Sequence, residues 1–329
     1  MRRAVPVLGV LLLGLTIFPG TPAEAKVTRY LTGNAADVSP VLAGPAHDFG
    51  GGGTDVDAAL QWIIDQVRGC TSCSTKVDVV ILRSTGSNGY NDYIYAMNGV
   101  DSVETLVITS ARDVTSTIAT TIRNAEVVFF AGGDQCDYVR NFKGTLVETA
   151  VESVYAKGGG VGGTSAGTAI QGDFTYDACT GSILSSEALA NPYHRYATFT
   201  YDFFKWANLQ NVITDSHFVA RDRMGRLLSF LARQIKDGKA SSALGIGIQE
   251  RTSVVVDRNG IATVLGEGPA YFVLADHMPE TCQSGTPLTH SNFKIWKVNA
   301  NGTFDLRTRP TTGFYLRSVT NGVVSSNPY

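Results

Sequence analysis

Ser165 stands in the run Gly162-Gly163-Thr164-Ser165-Ala166-Gly167. This G-x-S-x-G spacing sets a serine on a sharp strand-to-helix turn, where its hydroxyl is exposed to a base and to a carbonyl. The flanking glycines answer to the strain of the bend and to the close approach of neighbouring chains. A helix N-terminus behind the serine favours the negative charge that develops in acyl transfer. The other readings of such a loop are a plain turn or a phosphate cradle. A Walker A loop is excluded, because no Gly-Lys-Ser/Thr follows.

Two further clusters belong beside this one. Ala131-Gly132-Gly133-Asp134-Gln135 directly follows the strand-like Val127 to Phe130, and ligands of open parallel sheets bind at the carboxyl ends of strands. A double glycine there lets a backbone N–H face a scissile carbonyl, so Gly133 and Ala166 together would form an oxyanion hole. Taken alone, the segment reads equally as an ordinary left-handed turn. The third cluster runs from Asp215 to Arg226 and brings His217, Arg221, Arg223 and Arg226 to the start of a helix. Planar guanidinium forks suit a substrate carboxylate; a solvated, salt-bridged helix start is the alternative. Five histidines, His47, His194, His217, His277 and His290, compete to be the base.

The elements that must position these groups alternate between strand and helix. Val56, Ala59, Leu60, Ile63 and Val67 recur at helical spacing and predict a helix from Asp55 to Arg68. Thr54 with Asp57 resembles a capping box, and Gly69 suits the stop. Val77 to Leu82, Leu106 to Thr109 and Val127 to Phe130 read as short buried strands, with helical patterns at Val114 to Ile122 and Thr145 to Tyr155 between them. Strands spaced by helices mean βαβ units, hence an α/β fold with a parallel sheet covered on both faces. A second strong helix is predicted from Asp222 to Asp237. After Leu244 the texture turns β-rich, with Asn-Gly turns at 259–260, 301–302 and 321–322.

Composition sets outer limits. The chain has 329 residues, 43% hydrophobic and 17% charged, which excludes a disordered or low-complexity protein. A formal net charge of −2 leaves no electrostatic footprint for nucleic acid. Arg2-Arg3, an apolar run from Val7 to Phe18, and Ala23-Glu24-Ala25 together read as a signal peptide cleaved near Ala25. The expected organisation is therefore a signal peptide at 1–25, an α/β hydrolase domain at 26–275 and a β-rich C-terminal extension at 276–329. The mature chain is expected to be secreted or periplasmic and free of the membrane. Export permits disulfides. Cys70 and Cys73 are read as a local bridge and Cys179 with Cys282 as a second, which leaves Cys136 over. No metal-binding motif is present, and no cofactor is called for.

The Ala131–Gln135 turn, the Gly162–Gly167 elbow and the His-Phe-x-x-Arg-x-Arg-x-Gly-Arg run from His217 to Arg226 together resemble cyanophycinase. The first two are shared with the aspartyl dipeptidases of the peptidase E kind. That resemblance implies a serine exopeptidase on a three-layer sandwich similar to class I glutamine amidotransferases (flavodoxin-like). It makes Ser165 the nucleophile, His217 the general base and Glu250 the acid that orients it. It puts Gln135, Asp215, Arg221, Arg223 and Arg226 around the substrate. The substrate so implied is a peptide or polymer with aspartyl units, such as cyanophycin cleaved to β-Asp-Arg dipeptides. Relatives form dimers, and the resemblance extends a homodimer to this chain as an expectation. Ser216, Gln249 and the pair His47-Asp48 depart from the family pattern and bear on the choice of substrate. Two other readings stand beside this one. An α/β-hydrolase esterase would use a late histidine, His277 or His290, and a secreted binding protein would keep the pocket without turnover.

Overall fold

The computed structural model describes residue 1 and residues 27–329. The expected signal-peptide run from Arg2 to Ala25 lies outside the described residues. The described chain begins with β1 (Thr28–Gly33), β2 (Ala46–Gly50), α1 (Asp57–Arg68), β3 (Val77–Arg83), α2 (Asn91–Tyr95), β4 (Val100–Val107), α3 (Ser116–Asn124) and β5 (Val127–Phe130). It continues through α4 (Gln135–Phe142), α5 (Leu146–Ala156), β6 (Gly160–Thr164), α6 (Ala166–Ala169), β7 (Phe174–Tyr176), α7 (Ser185–Ala190), β8 (Phe199–Tyr201) and β9 (Val212–Asp215). Next come α8 (Met224–Lys236), β10 (Ala243–Ile248), β11 (Thr252–Val256), β12 (Ile261–Gly266) and β13 (Ala270–Ala275). The last strands are β14 (Thr281–Gln283), β15 (Thr286–Val298), β16 (Thr303–Asp305), β17 (Tyr315–Thr320) and β18 (Val323–Val324).

These strands form two sheets. The first runs β1-β4-β3-β5-β6-β2-β11-β12-β16, and its stretch from β4 to β2 is parallel throughout. The apolar runs in β3 and β5 serve both faces. Val80, Leu82, Val128 and Phe130 pack under α3 and α5, while Val79, Ile81, Val127 and Phe129 pack under α1. Burial on both faces is why those strands read as continuous rather than alternating. The second sheet runs β18-β17-β15-β13-β10-β9-β7-β8, with β7, β9 and β10 parallel and its other pairs antiparallel. The apolar stripe of α8, including Leu227, Leu228, Leu231 and Ile235, covers it. The parallel sheet expected from the βαβ pattern is thus the centre of a mixed one. From β11 onward the chain supplies strands to both sheets.

Several local signals yield to tertiary contacts. The helix expected from Asp55 starts at Asp57, with Val56 at the N-cap and no side-chain cap. The Asp57 carboxylate accepts a hydrogen bond from the Tyr93 hydroxyl, and Asp55 accepts one from Tyr90, so the capping box of Thr54 and Asp57 does not form. The strand expected at Leu106 to Thr109 occupies Val100–Val107, and the exposed edge strand β1 pairs antiparallel to it. The cysteine pairing also needs correcting. Cys70 is bonded to Cys73 as expected, but Cys179 is bonded to Cys136, and Cys282 is free and buried beneath α8. The fold brings the start of α4 to the loop after β7, whereas Cys282 lies on β14 in an apolar layer that pushes its thiol up to about 11.

Asp48 lies in the middle of β2 between β6 and β11, fully buried, with Oδ1 unpartnered. Burial lifts its carboxyl from 3.8 to about 8, an effect that Ser253 opposes and Asp55 adds to. The folded state therefore holds a proton that the unfolded chain gives up. The stabilising contribution is complete below about pH 4 and is lost as pH rises through about 8. Asp48→Asn should match wild type near pH 4. It should gain on it by on the order of 1 kcal/mol per pH unit toward pH 8. Urea midpoints of both proteins at pH 5, 6.5 and 8 check this, and parallel curves would refute it.

Candidate active site

The site is assembled where the carboxyl ends of the two parallel strand groups meet. β6 delivers Ser165 on a turn whose φ is 55°, a positive value that a non-glycine residue adopts only when its surroundings hold it there. Two contacts hold it. Ser165 N–H donates to the Gly50 carbonyl at 3.1 Å, and the Thr168 hydroxyl is 2.7 Å from both the Gly50 and Gly163 carbonyls. Gly167 is required because a Cβ there would lie 2.1 Å from the Phe130 carbonyl oxygen.

His217 comes from the other sheet, directly after β9. Its N–H donates to the Gly51 carbonyl at 2.7 Å, and its ring lies against Gly52. Gly52 has φ +89°, and a Cβ there would come within 2.4 Å of the imidazole, so that position must be glycine for the ring to fit. Ser165 Oγ is 2.8 Å from His217 Nε2, and His217 Nδ1 is 2.6 Å from Glu250 Oε1. A carboxylate can only accept, which assigns the proton to Nδ1 and leaves Nε2 to receive the serine proton. Burial lowers the His217 pKa below 6.5, with Arg221 and Arg223 pushing the same way and Glu250 opposing them. The hydrogen bond from His217 lowers the Glu250 pKa, and that carboxylate remains one-third exposed.

A pocket of about 300 Å³ opens beside Ser165. Gly133, Asp134, Gln135 and Ala166 line it on the first sheet's side, and Ala178, Gly181, Ser182, Ser216, Arg221, Arg223 and Arg226 line it on the second's. The Gly133 and Ala166 amides have no acceptor among the described residues. The arginines differ in their freedom. Arg226 is buried and donates to both oxygens of Asp215, at 2.8 and 2.5 Å. Arg223 donates to the Ser216 carbonyl at 2.8 Å and to Asp215 at 3.3 Å. Arg221 is exposed and has no such partner among the described residues. Asp215 therefore stands behind Arg223 and Arg226 as their anchor and is not part of the pocket lining.

Three of the other four histidines, His47, His277 and His290, are engaged away from Ser165. His47 is stacked on Phe49 and Tyr155, and burial drives its pKa to about 3. His277 pairs with Asp276, and buried His290 packs edge-on against it. Sequence reasoning gave no role to the Gly50–Gly52 cradle, although the four-glycine run was a visible signal. Gln249, read from the sequence only as a departure from the family pattern, has an Oε1 that accepts from the Val219 and Ala220 amides at 3.0 and 3.1 Å and so fixes the turn after His217. Among the described residues no group of metal-binding side chains is present, and no helix is long and apolar enough to cross a membrane.

The sequence model of Peptidase family S51 matches residues 83–263, an interval that contains Ser165, His217 and Glu250. The cyanophycinases of Trichormus variabilis and of a Nostoc species are each 29% identical over 226 residues, 66% of this chain and 69% of theirs. The crystal structure of a peptidase from an acI-B1 Actinobacterium shares the fold, with a TM-score of 0.55 at 14% identity, covering 81% of this chain and 98% of that one. This chain belongs to peptidase family S51 and is a serine-type peptidase.

Proposed function

We propose that this protein is an exopeptidase-type hydrolase of aspartyl peptides, acting through Ser165, His217 and Glu250. The observation that carries the reading is the unbroken relay from Ser165 Oγ to His217 Nε2 at 2.8 Å and from His217 Nδ1 to Glu250 at 2.6 Å. His217 takes the serine proton as Oγ attacks the amide carbonyl. The Gly133 and Ala166 amides receive the oxyanion, and the imidazolium returns its proton to the leaving amine. Water then repeats the cycle on the acyl-enzyme. Glu250 holds the imidazole tautomer and stabilises its charged form.

Arg221 and Arg223 face the pocket with cationic groups, which favours a substrate carboxylate there; Gln135 supplies a neutral polar contact. The Arg226–Asp215 pair braces this wall. The relatives are named cyanophycinases, and the substrate proposed here is that polymer, released as β-Asp-Arg dipeptides. The same reading extends to a fold of the class I glutamine amidotransferase type with a β-rich extension at 276–329. Export is proposed as well, and the two disulfides favour an oxidising compartment.

The test is incubation with cyanophycin and with matched α- and β-aspartyl peptides, with the products read by mass spectrometry. β-Asp-Arg from the polymer is the expected result. Cleavage of short aspartyl peptides with the polymer left intact would overturn the polymer assignment. Failure of all substrates, with Ser165 also refusing a fluorophosphonate probe, would overturn the enzyme reading in favour of a binding protein.

A further inference from the structure

The two walls of the pocket belong to different sheets. One is the turn after β5, Gly133 to Gln135; the other is the loop after β7, with Ala178, Gly181 and Ser182. Immediately beside these walls, Cys136 and Cys179 are bonded to each other, with their Cα atoms 4.9 Å apart although they stand 43 positions apart in the chain. Cys70–Cys73 spans only 3 positions. Among the described residues, Cys136–Cys179 is thus the one disulfide that ties the turn after a strand of the first sheet to the loop after a strand of the second.

The loop it reaches is held under constraint. Ala178 has φ 50°, in the left-handed region where a residue with a Cβ stays only if its neighbours keep it there. Its other restraints come from its own side. Asp177 accepts from the Cys179 amide at 3.0 Å and from the Thr200 hydroxyl at 2.9 Å. The Tyr176 hydroxyl donates to the Gly181 carbonyl at 3.2 Å and accepts from the Ile183 amide at 2.9 Å. None of these contacts reaches the Gly133–Gln135 turn.

We infer that the Cys136–Cys179 disulfide is a positioning element of the substrate pocket. It sets the gap between the two walls, and so the place where a bound carbonyl sits relative to the Gly133 amide and Ser165. This rests on the peptidase reading of the site. Reduction by a dithiol transfers two electrons and two protons to give two cysteine thiols and leaves the reductant as its own disulfide. The chemistry at Ser165 involves no cysteine, so any effect on turnover comes through geometry. Misplacement by about 1 Å is enough to cost up to a hundredfold in rate.

The test compares wild type, the double variant Cys136→Ser/Cys179→Ser and the control Cys70→Ser/Cys73→Ser on one aspartyl peptide, with and without dithiothreitol. The double variant should lose about tenfold in kcat/KM, mostly through kcat, while its far-ultraviolet circular dichroism stays native at the assay temperature. Wild type and the control should fall to the same level on reduction and recover on reoxidation, and the double variant should ignore the reductant. Unchanged KM and kcat in a folded double variant, or a reductant effect that survives in it, overturns the inference. If the double variant does not fold, wild type reduced while its circular dichroism stays native decides: a reversible loss supports the inference and unchanged KM and kcat overturn it. If wild type cleaves no aspartyl peptide, the substrate reading has failed instead. The tie is then judged by the rate of fluorophosphonate labelling at Ser165, which must drop on reduction and recover on reoxidation.

Discussion

Ser165→Ala lowers turnover of an aspartyl peptide by about 10⁴- to 10⁶-fold, the range found when a hydrolase loses a member of its catalytic relay. Among the described residues, the hydroxyl is the only group in the pocket that meets a hydrogen-bonded base, at 2.8 Å from His217 Nε2. Removing it deletes the nucleophile and leaves the pocket intact. The backbone contacts that hold the turn, from Ser165 N–H and from Thr168 to the Gly50 carbonyl, do not use the serine side chain. The thermal midpoint should therefore stay within a few degrees of wild type. Steady-state hydrolysis, calorimetry and loss of fluorophosphonate labelling read the three parts separately. Retained turnover in a folded variant would remove Ser165 from the mechanism.

His217→Ala should cost a comparable factor, while His277→Ala leaves turnover within about twofold, since double losses of this size belong to residues that act as a unit. The contrast decides between the relay and an esterase order with a late histidine. His277 is paired with Asp276 and packed against His290, with no hydrogen bond to Ser165 among the described residues. The pH profile adds a second check. His217 must be neutral to accept a proton, and burial with two nearby guanidinium groups lowers its pKa below 6.5. The charged form is thus disfavoured, and the midpoint of the acid limb of kcat/KM should lie below pH 6.5. A limb above pH 7 would contradict the electrostatics of the site.

The buried Asp215–Arg226 pair shows why the arginine run carries more than substrate contacts. Leaving either partner alone in that interior costs about 3–5 kcal/mol. Arg226 replacements should therefore be read first as damage to the pocket wall, whereas Arg221 is free to report on substrate charge.

What can be read from the chain alone follows physical range. The elbow at Ser165 is legible because a strained turn requires glycine within two residues on either side. The helix over Asp57–Arg68, the helix over Met224–Lys236 and the buried strand Val77–Arg83 are legible because their periodicity is local. The choice of His217 from five histidines and of Glu250 as its partner came from resemblance, not from spacing. Those residues lie 52 positions beyond Ser165 and a further 33 along, in the loops that follow β9 and β10 of the second sheet, and only chain crossing brings them together. The same holds where local signals lost. The Thr54–Asp57 cap yields to tyrosines from elsewhere in the fold. Cys179 finds Cys136 rather than Cys282 because the packing of the two sheets, which no short-range pattern encodes, sets which thiols come within bonding distance.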